Sequence, residues 1–341
     1  MLTSHKYIVS YAKTLKPLMR YDYKEDFNEW QKRAKNKLNE LLGLPFNKPA
    51  DDAFTIVSQT EKEELTYIRF TIKTEEGYTV PCCLVKKTEL KEKLPLVICL
   101  QGHSSGMHIS LGEPIYEGDA QLIARGRDFA VRAAKEGKIA LALEQRYMGS
   151  LGYEDRAVPA CNAGSGNSDA NQAMATLLLG RNAIGERVWD VMCVLDAVLK
   201  YFEDIIDESK IACMGNSGGG TVTYYVSCLD ERITLAIPSC SVCDFDKSIM
   251  SINHCPCNYI PGIRKYFDMG DLGALIAPRN LLVVCGIEDS IFPIDGVKNS
   301  FELTKKAYEH IGKGDVCNLL IGNGGHRFYP DEAWPIMKKY I

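Results

Sequence analysis

The stretch Ile211-Ala212-Cys213-Met214-Gly215-Asn216-Ser217-Gly218-Gly219-Gly220 decides the reading of this chain. An apolar, strand-like run enters Gly-x-Ser-x-Gly directly, and a helix-like segment, Gly219–Leu229, follows. A serine at the apex of so sharp a strand-to-helix turn presents its hydroxyl at the edge of a sheet. Glycines beside it let the crossing strand and helix come close. Taken alone, the turn also reads as a Gly/Ser-rich loop or a phosphate cradle. A Walker loop would need Gly-Lys-Ser/Thr, and a dinucleotide fingerprint G-x-G-x-x-G; neither pattern fits here. Ser217 is therefore the candidate nucleophile.

Around this turn the chain alternates short apolar runs with amphipathic segments. Strands are expected at Leu96–Leu100, Lys138–Glu144, Lys210–Met214, Ile233–Pro238, Asn280–Gly286 and Val316–Ile321. Helices are expected at Ala120–Glu136, Arg187–Tyr201, Gly219–Leu229 and Val297–Ile311. Continuous apolar strands separated by helices imply a mostly parallel, doubly covered α/β sheet. Upstream, Phe54–Gln59, Tyr67–Lys73 and Thr79–Lys86, with Glu76-Gly77 as a turn, read as antiparallel leading strands. Before them, Glu25–Leu42 places Phe27, Trp30, Ala34, Leu38, Leu41 and Leu42 at helical spacing, ended by Gly43 and Pro45. The expected organisation is a helical extension over 1–50 and a catalytic domain over 51–341.

In such sheets the chemistry gathers in loops at the carboxyl ends of the strands. A serine needs a base, and a histidine base needs a carboxylate to fix its tautomer. The strand Asn280–Gly286 leads to Ile287-Glu288-Asp289-Ser290-Ile291-Phe292-Pro293, and the last strand leads to Gly322-Asn323-Gly324-Gly325-His326. Asp289 and His326 are the partners assigned, with Glu288 and Asp295 as rival acids. Asp295, just before Val297, also reads as a helix N-cap. The loop after the first parallel strand, Gln101-Gly102-His103-Ser104-Ser105-Gly106, stands where half of an oxyanion hole belongs; the backbone of His103 and that of Gly218 are the expected donors.

Composition bounds the rest. The chain has 341 residues, 46% hydrophobic and 25% charged, with a net charge of −4. That charge leaves no basic footprint for nucleic acid and fits poorly with anionic membranes. The N-terminus lacks the apolar core of a signal peptide, and no apolar run is long enough to span a bilayer. Thirteen cysteines, several inside apolar strands, read as reduced thiols in a cytoplasmic protein rather than a disulfide framework.

At Leu100–His103, Gly215–Gly220, His254–Gly262 (HCPCNYIPG), Leu275–Arg279 (LIAPR), Gly286–Pro293 and Gly325-His326 the sequence resembles the α/β-hydrolase superfamily, in the branch of acetyl-xylan-esterase-like and dienelactone-hydrolase-like proteins. The resemblance runs from about Thr79 to the end, and the Trp-containing leader helix shares it. Two features depart from the pattern. Gln101 stands where the His-Gly motif carries histidine, and Arg-Gly-x-x-x-Gln is absent. The resemblance implies an α/β-hydrolase fold and a serine carboxylic-ester hydrolase acting on short-acyl esters such as acetylated sugars, without cofactor. Rival readings are a peptidase of the prolyl-oligopeptidase type, against which the missing propeller counts, and a non-catalytic ligand receptor, against which the complete Ser-Asp-His set counts.

Some motifs carry weaker signals. Cys240-Ser-Val-Cys243 with Cys255-Pro-Cys257 resembles a zinc site, but its second pair has one intervening residue instead of two, so no metal is assigned. His254, Asn258 and Tyr259 are candidates for the substrate pocket, with ordinary loop packing as the alternative. Glu144, Arg146 and Arg187 read as an ion-pair network without a catalytic role, and the polar stretch Asp155–Asn171 as a loop over the pocket.

Overall fold

A computed structural model describes residues 2–103, 105–153 and 168–341. The leader helix spans Phe27–Leu42. Asp26 caps it by accepting from the Glu29 N–H at 3.0 Å, and Gly43 ends it in the left-handed region at φ 76°. Phe27, Trp30, Ala34, Leu38 and Leu42 form its buried stripe, and they enter the same core as one face of the sheet. A helix at Ser4–Thr14, not among the expected elements, buries only Ala12.

Nine strands form one sheet. β1 (Thr55–Lys62), β2 (Leu65–Glu75) and β3 (Tyr78–Lys87) are the antiparallel leading strands. β4 (Leu94–Leu100), β5 (Ile139–Leu143), β6 (Ile206–Asn216), β7 (Leu235–Ser239), β8 (Asn280–Gly286) and β9 (Cys317–Gly322) are parallel to one another. The order is β1-β2-β3-β5-β4-β6-β7-β8-β9. β4 sits between β5 and β6, with Cys99 opposite both Ala142 and Met214. β5 and β7 are buried throughout, as expected for strands covered on both faces. Separate apolar layers pack on the two faces. This is the α/β-hydrolase fold expected from the sequence.

Three helices differ from their expected spans, one of them, Ile294–His310, by starting three residues before Val297. The segment assigned to Ala120–Glu136 is broken: Asp119–Leu122 passes through a wide turn, Ile123–Arg127, before Phe129–Lys135. Gly126 adopts φ 79° there, and a side chain on it would meet the Pro330 ring at 2.6 Å. The break thus falls at a glycine whose free side lies against a residue distant in sequence. The helix expected at Arg187–Tyr201 begins at Ala183, four residues before Arg187, because Asn182 caps it by accepting from the Gly185 N–H at 2.8 Å. A C-terminal helix, Pro330–Met337, was not read from sequence.

This topology brings the loops after β4, β6, β7, β8 and β9 to one edge of the sheet. No helix among the described residues is long and apolar enough to cross a membrane.

Candidate active site

Ser217 follows β6 directly and caps the helix Gly218–Leu229 at φ 55°, ψ −122°. A non-glycine residue there is strained, and two backbone bonds hold it. The Ser217 N–H donates to Ser239 O, and its carbonyl accepts from the Thr221 N–H, each at 2.8 Å. The glycines allow close crossing: a side chain at 219 would lie 2.3 Å from the Leu100 carbonyl oxygen.

Asp289 lies three residues past β8, and His326 four past β9. His326 Nδ1 is 2.9 Å from Asp289 Oδ2. The other carboxylate oxygen accepts from the N–H groups of Ile291 (2.9 Å) and Phe292 (3.1 Å). Burial pushes the Asp289 carboxyl up, but the His326 hydrogen bond and charge, with the two N–H donors, outweigh it and hold the group below its ordinary value. The Phe292 ring stacks on the imidazole, centroids 5.8 Å apart and planes within 16°. The rival acids stand elsewhere. Glu288 is exposed, and Asp295 is exposed in the first turn of the helix Ile294–His310, whose N-cap is Pro293.

The loop after β4 is held by a buried cation. Arg127 donates from Nε (3.0 Å) and Nη2 (2.6 Å) to Gln101 Oε1, and from Nη2 to Ser105 Oγ at 3.1 Å. Gln101 Nε2 donates in turn to Ser110 Oγ and Arg127 O, both at 2.7 Å. Burial pulls the guanidinium down to about 10, so it stays charged near neutrality. Gln101, the departure from the His-Gly pattern, is thus the acceptor that fastens this loop. The His103 ring lies against Gly218: a Cβ added there would be 2.7 Å from Cε1 and 2.8 Å from Nδ1. His103 Nε2 is also 2.8 Å from Cys257 Sγ.

His254 joins this group. Burial lowers it to about 4, and the neighbouring charges of His103 and His326 add to the effect, so it is neutral at physiological pH. Its Nδ1 lies 3.3 Å from Asn258 Nδ2, and its ring meets Phe292 edge-on at 5.5 Å. The HCPCNY segment therefore packs against the Phe292 side of the site.

A family model described as the Abhydrolase family matches residues 2–320. The chain belongs to that family. It is 24% identical over 298 residues to YtaP, a candidate hydrolase of Bacillus subtilis strain 168, covering 86% of this chain and 92% of YtaP. The fold is similar to that of an acetyl xylan esterase candidate from Bacteroides fragilis, with TM-score 0.76, 19% identity, and coverage of 98% of this chain and 84% of that one. It is also similar to a glucuronoyl esterase from Solibacter usitatus, with TM-score 0.70, 13% identity, and coverage of 96% and 98%.

Within this Abhydrolase-family chain several sequence assignments need correction. Tyr259 stands apart from the histidine group: its hydroxyl donates to Ile249 O at 2.7 Å, and it lines an apolar cleft of about 340 Å³ with Ile8 and Tyr11. The ion-pair network is real for Arg146 alone. Its guanidinium lies 2.6 Å from Glu75 and 2.7 Å from Asp190; Arg146 and Asp190 are buried and Glu75 is half-buried. Glu144 instead accepts from the N–H groups of Met107 (3.0 Å) and Ser150 (3.2 Å), and Arg187 donates from Nε to Arg146 O at 2.9 Å. The four cysteines of the zinc-like pattern do not converge: Cys243 Sγ donates to Pro293 O and Cys240 Sγ to Arg327 O, while Cys257 meets His103. The expected polar loop Asp155–Asn171 lies outside the described residues over 155–167, and its last four positions instead open a helix, Ser168–Leu178.

Cys240, Phe292 and Arg127 are site neighbours that the sequence reading did not assign. A cysteine just past β7 and an aromatic three residues after the candidate acid were visible signals; an arginine inside a helix-like stretch was not.

Proposed function

We propose that this chain is a serine carboxylic-ester hydrolase working through an acyl-serine intermediate on short-acyl esters of carbohydrates. The observation that carries the reading is the Asp289–His326 contact at 2.9 Å, at the same sheet edge as a serine in a strained strand-to-helix turn. Asp289 holds the Nδ1–H tautomer, which leaves the Nε2 lone pair free for the Ser217 proton. As Ser217 Oγ attacks the ester carbonyl, His326 takes that proton and then returns it to the departing alcohol. A water molecule activated by the same nitrogen releases the acid. Negative charge on the tetrahedral intermediate is met by the N–H groups of Gly218 and His103. Neutral His254 and Asn258 offer polar contacts to the substrate without adding charge. No step calls for a metal or cofactor. The carbohydrate and short-acyl assignments draw support from family membership and from neighbours named as acetyl xylan and glucuronoyl esterases.

A fluorophosphonate probe tests this directly. It should label the wild type at Ser217, and Ser217→Ala should lose both labelling and about 10⁴–10⁶ of kcat on p-nitrophenyl acetate. An adduct on another serine, or faster turnover of an aminoacyl nitroanilide than of the ester, overturns the reading.

A further inference from the structure

Cys240 is the first residue past β7. Its N–H donates to Val284 O at 2.8 Å, and its backbone stands at φ 48°, a left-handed conformation that non-glycine residues rarely adopt. The thiol is wholly buried and donates to Arg327 O at 3.2 Å, one residue beyond His326. That placement gathers three unlike donors. The sulfur of Cys240, a carboxylate oxygen of Asp289 and a ring nitrogen of His326 all lie within 4.8 Å of one another. They form the single such group of histidine, cysteine and carboxylate donors among the described residues.

Sulfur, imidazole nitrogen and carboxylate oxygen together suit a borderline-soft cation, and three protein ligands leave a fourth position open to water. Donors bound to one tetrahedral ion stand about 3.3–3.8 Å apart, so the Asp289–His326 pair, now at 2.9 Å, must open slightly while the Cys240 sulfur draws in from within 4.8 Å. Asp289 has no exposed side-chain surface, but 22% of the His326 side chain is accessible and gives an approach.

We propose that Cys240, Asp289 and His326 form a site for a thiophilic divalent cation of the zinc class, and that its occupation silences the hydrolase. The existence of the site is independent of the proposed function; its effect on turnover rests on that reading. A neutral imidazole has one N–H and one lone pair. In the catalytic form Nδ1 carries the hydrogen, and the Nε2 lone pair receives the Ser217 proton. A cation bound at Nδ1 uses the lone pair there and moves the hydrogen to Nε2, so the base has nothing left to accept with. On binding, the Cys240 thiol gives up its proton to solvent and ligates as thiolate. No electrons are transferred, and a chelator reverses the step.

The test uses the reduced full-length protein with Cd²⁺ and Zn²⁺. Cd²⁺ should produce an ultraviolet thiolate-to-metal charge-transfer band of about one equivalent in the wild type, missing from Cys240→Ala. Zn²⁺ should inhibit p-nitrophenyl acetate hydrolysis reversibly. Each variant is compared with its own metal-free rate, and Cys240→Ala should need at least about tenfold more Zn²⁺. Cys240→Gly, which suits a left-handed backbone, serves as the second variant if alanine does not fold. Equal bands and equal inhibition in wild type and variants overturn the proposal. A Cys240-dependent band in a protein that hydrolyses no ester keeps the site and removes the proposed function. Ester hydrolysis without such a band does the reverse.

Discussion

Asp289 and His326 meet at 2.9 Å although 37 residues separate them in sequence. Adjacent parallel strands β8 and β9 make this possible, since Gly286 pairs with Gly322 at the last rung. Both loops leave the sheet side by side, and two backbone N–H groups hold the other carboxylate oxygen. Asp289→Asn should keep this shape but remove the charge that steadies the imidazolium, lowering kcat by about 10²–10⁴. Glu288→Gln and Asp295→Asn, both at exposed positions, should each cost less than about tenfold. Steady-state kinetics on the three variants decide it; a crippled Glu288→Gln beside an active Asp289→Asn would place the acid wrongly.

Gly218 offers a second test, of the oxyanion side. A methyl group there would meet the His103 ring at 2.7 Å and Met148 Cε at 2.9 Å. Both obstacles are side chains that can give way, so Gly218→Ala should still fold. The His103 ring must move to admit it, and where its backbone N–H is drawn along, losing one oxyanion donor costs about 10²–10³ in kcat. We expect a loss of at least about tenfold in kcat with a thermal midpoint near that of wild type. Full activity in the variant would count against His103 as a donor.

What could be read in the sequence follows from how locally it is encoded. Ser217, Asp289 and His326 each stand a few residues past an apolar strand, and strand ends are legible from hydrophobic runs and glycines. The surroundings depend on contacts across the sheet. Cys240 reaches Asp289 because β7 lies beside β8 and because its own backbone is left-handed, neither of which a cysteine after a short strand announces. Arg127 reads as a helix-surface residue until the turn at Gly126 swings it beneath Gln101. Pro330, which occupies the space beside Gly126, comes from the far end of the chain. Arg146 and Arg187 look interchangeable in sequence; the first takes the carboxylates of Glu75 and Asp190, and the second bonds a backbone carbonyl.

The leader helix makes a prediction about stability. Trp30 is 1% exposed, its Nε1–H donates to Met19 O at 2.9 Å, and Tyr21 and Phe27 pack on its rings at 5.0 and 5.4 Å. Emptying such a site costs about 3–5 kcal/mol. Urea unfolding of Trp30→Ala should show a loss of that size in a single transition, because the helix shares its core with the sheet. A loss below about 1 kcal/mol, or a separate early transition, would mean that residues 1–50 fold as an independent appendage.

The last prediction concerns pH and Glu144. Burial drives its carboxyl up from an ordinary 4.5 to about 7, against the opposing pull of the Met107 and Ser150 backbone donors and the Ser150 hydroxyl. The folded protein therefore holds this proton more tightly than the unfolded chain does. As pH rises from about 4.5 towards 7, the unfolded chain releases its proton first and gains stability relative to the fold; above about 7 the penalty is complete. The difference of 7 − 4.5 = 2.5 pH units corresponds to about 3 kcal/mol. Asp289 acts in the opposite sense: its depressed value contributes stability above the ordinary carboxylate range, which is lost as pH falls through the folded value. Comparison with Glu144→Gln separates the two, because glutamine keeps an acceptor for Met107 or Ser150 but cannot titrate. Unfolding free energies of both proteins, measured by urea at pH 5 and pH 8, should show the smaller difference at the lower pH, where the ionisation penalty is only about 1 kcal/mol. At the higher pH the variant should be favoured by up to about 3 kcal/mol. Parallel pH profiles for the two proteins would show that Glu144 is ionised in the fold at both values, with its three donors outweighing its burial.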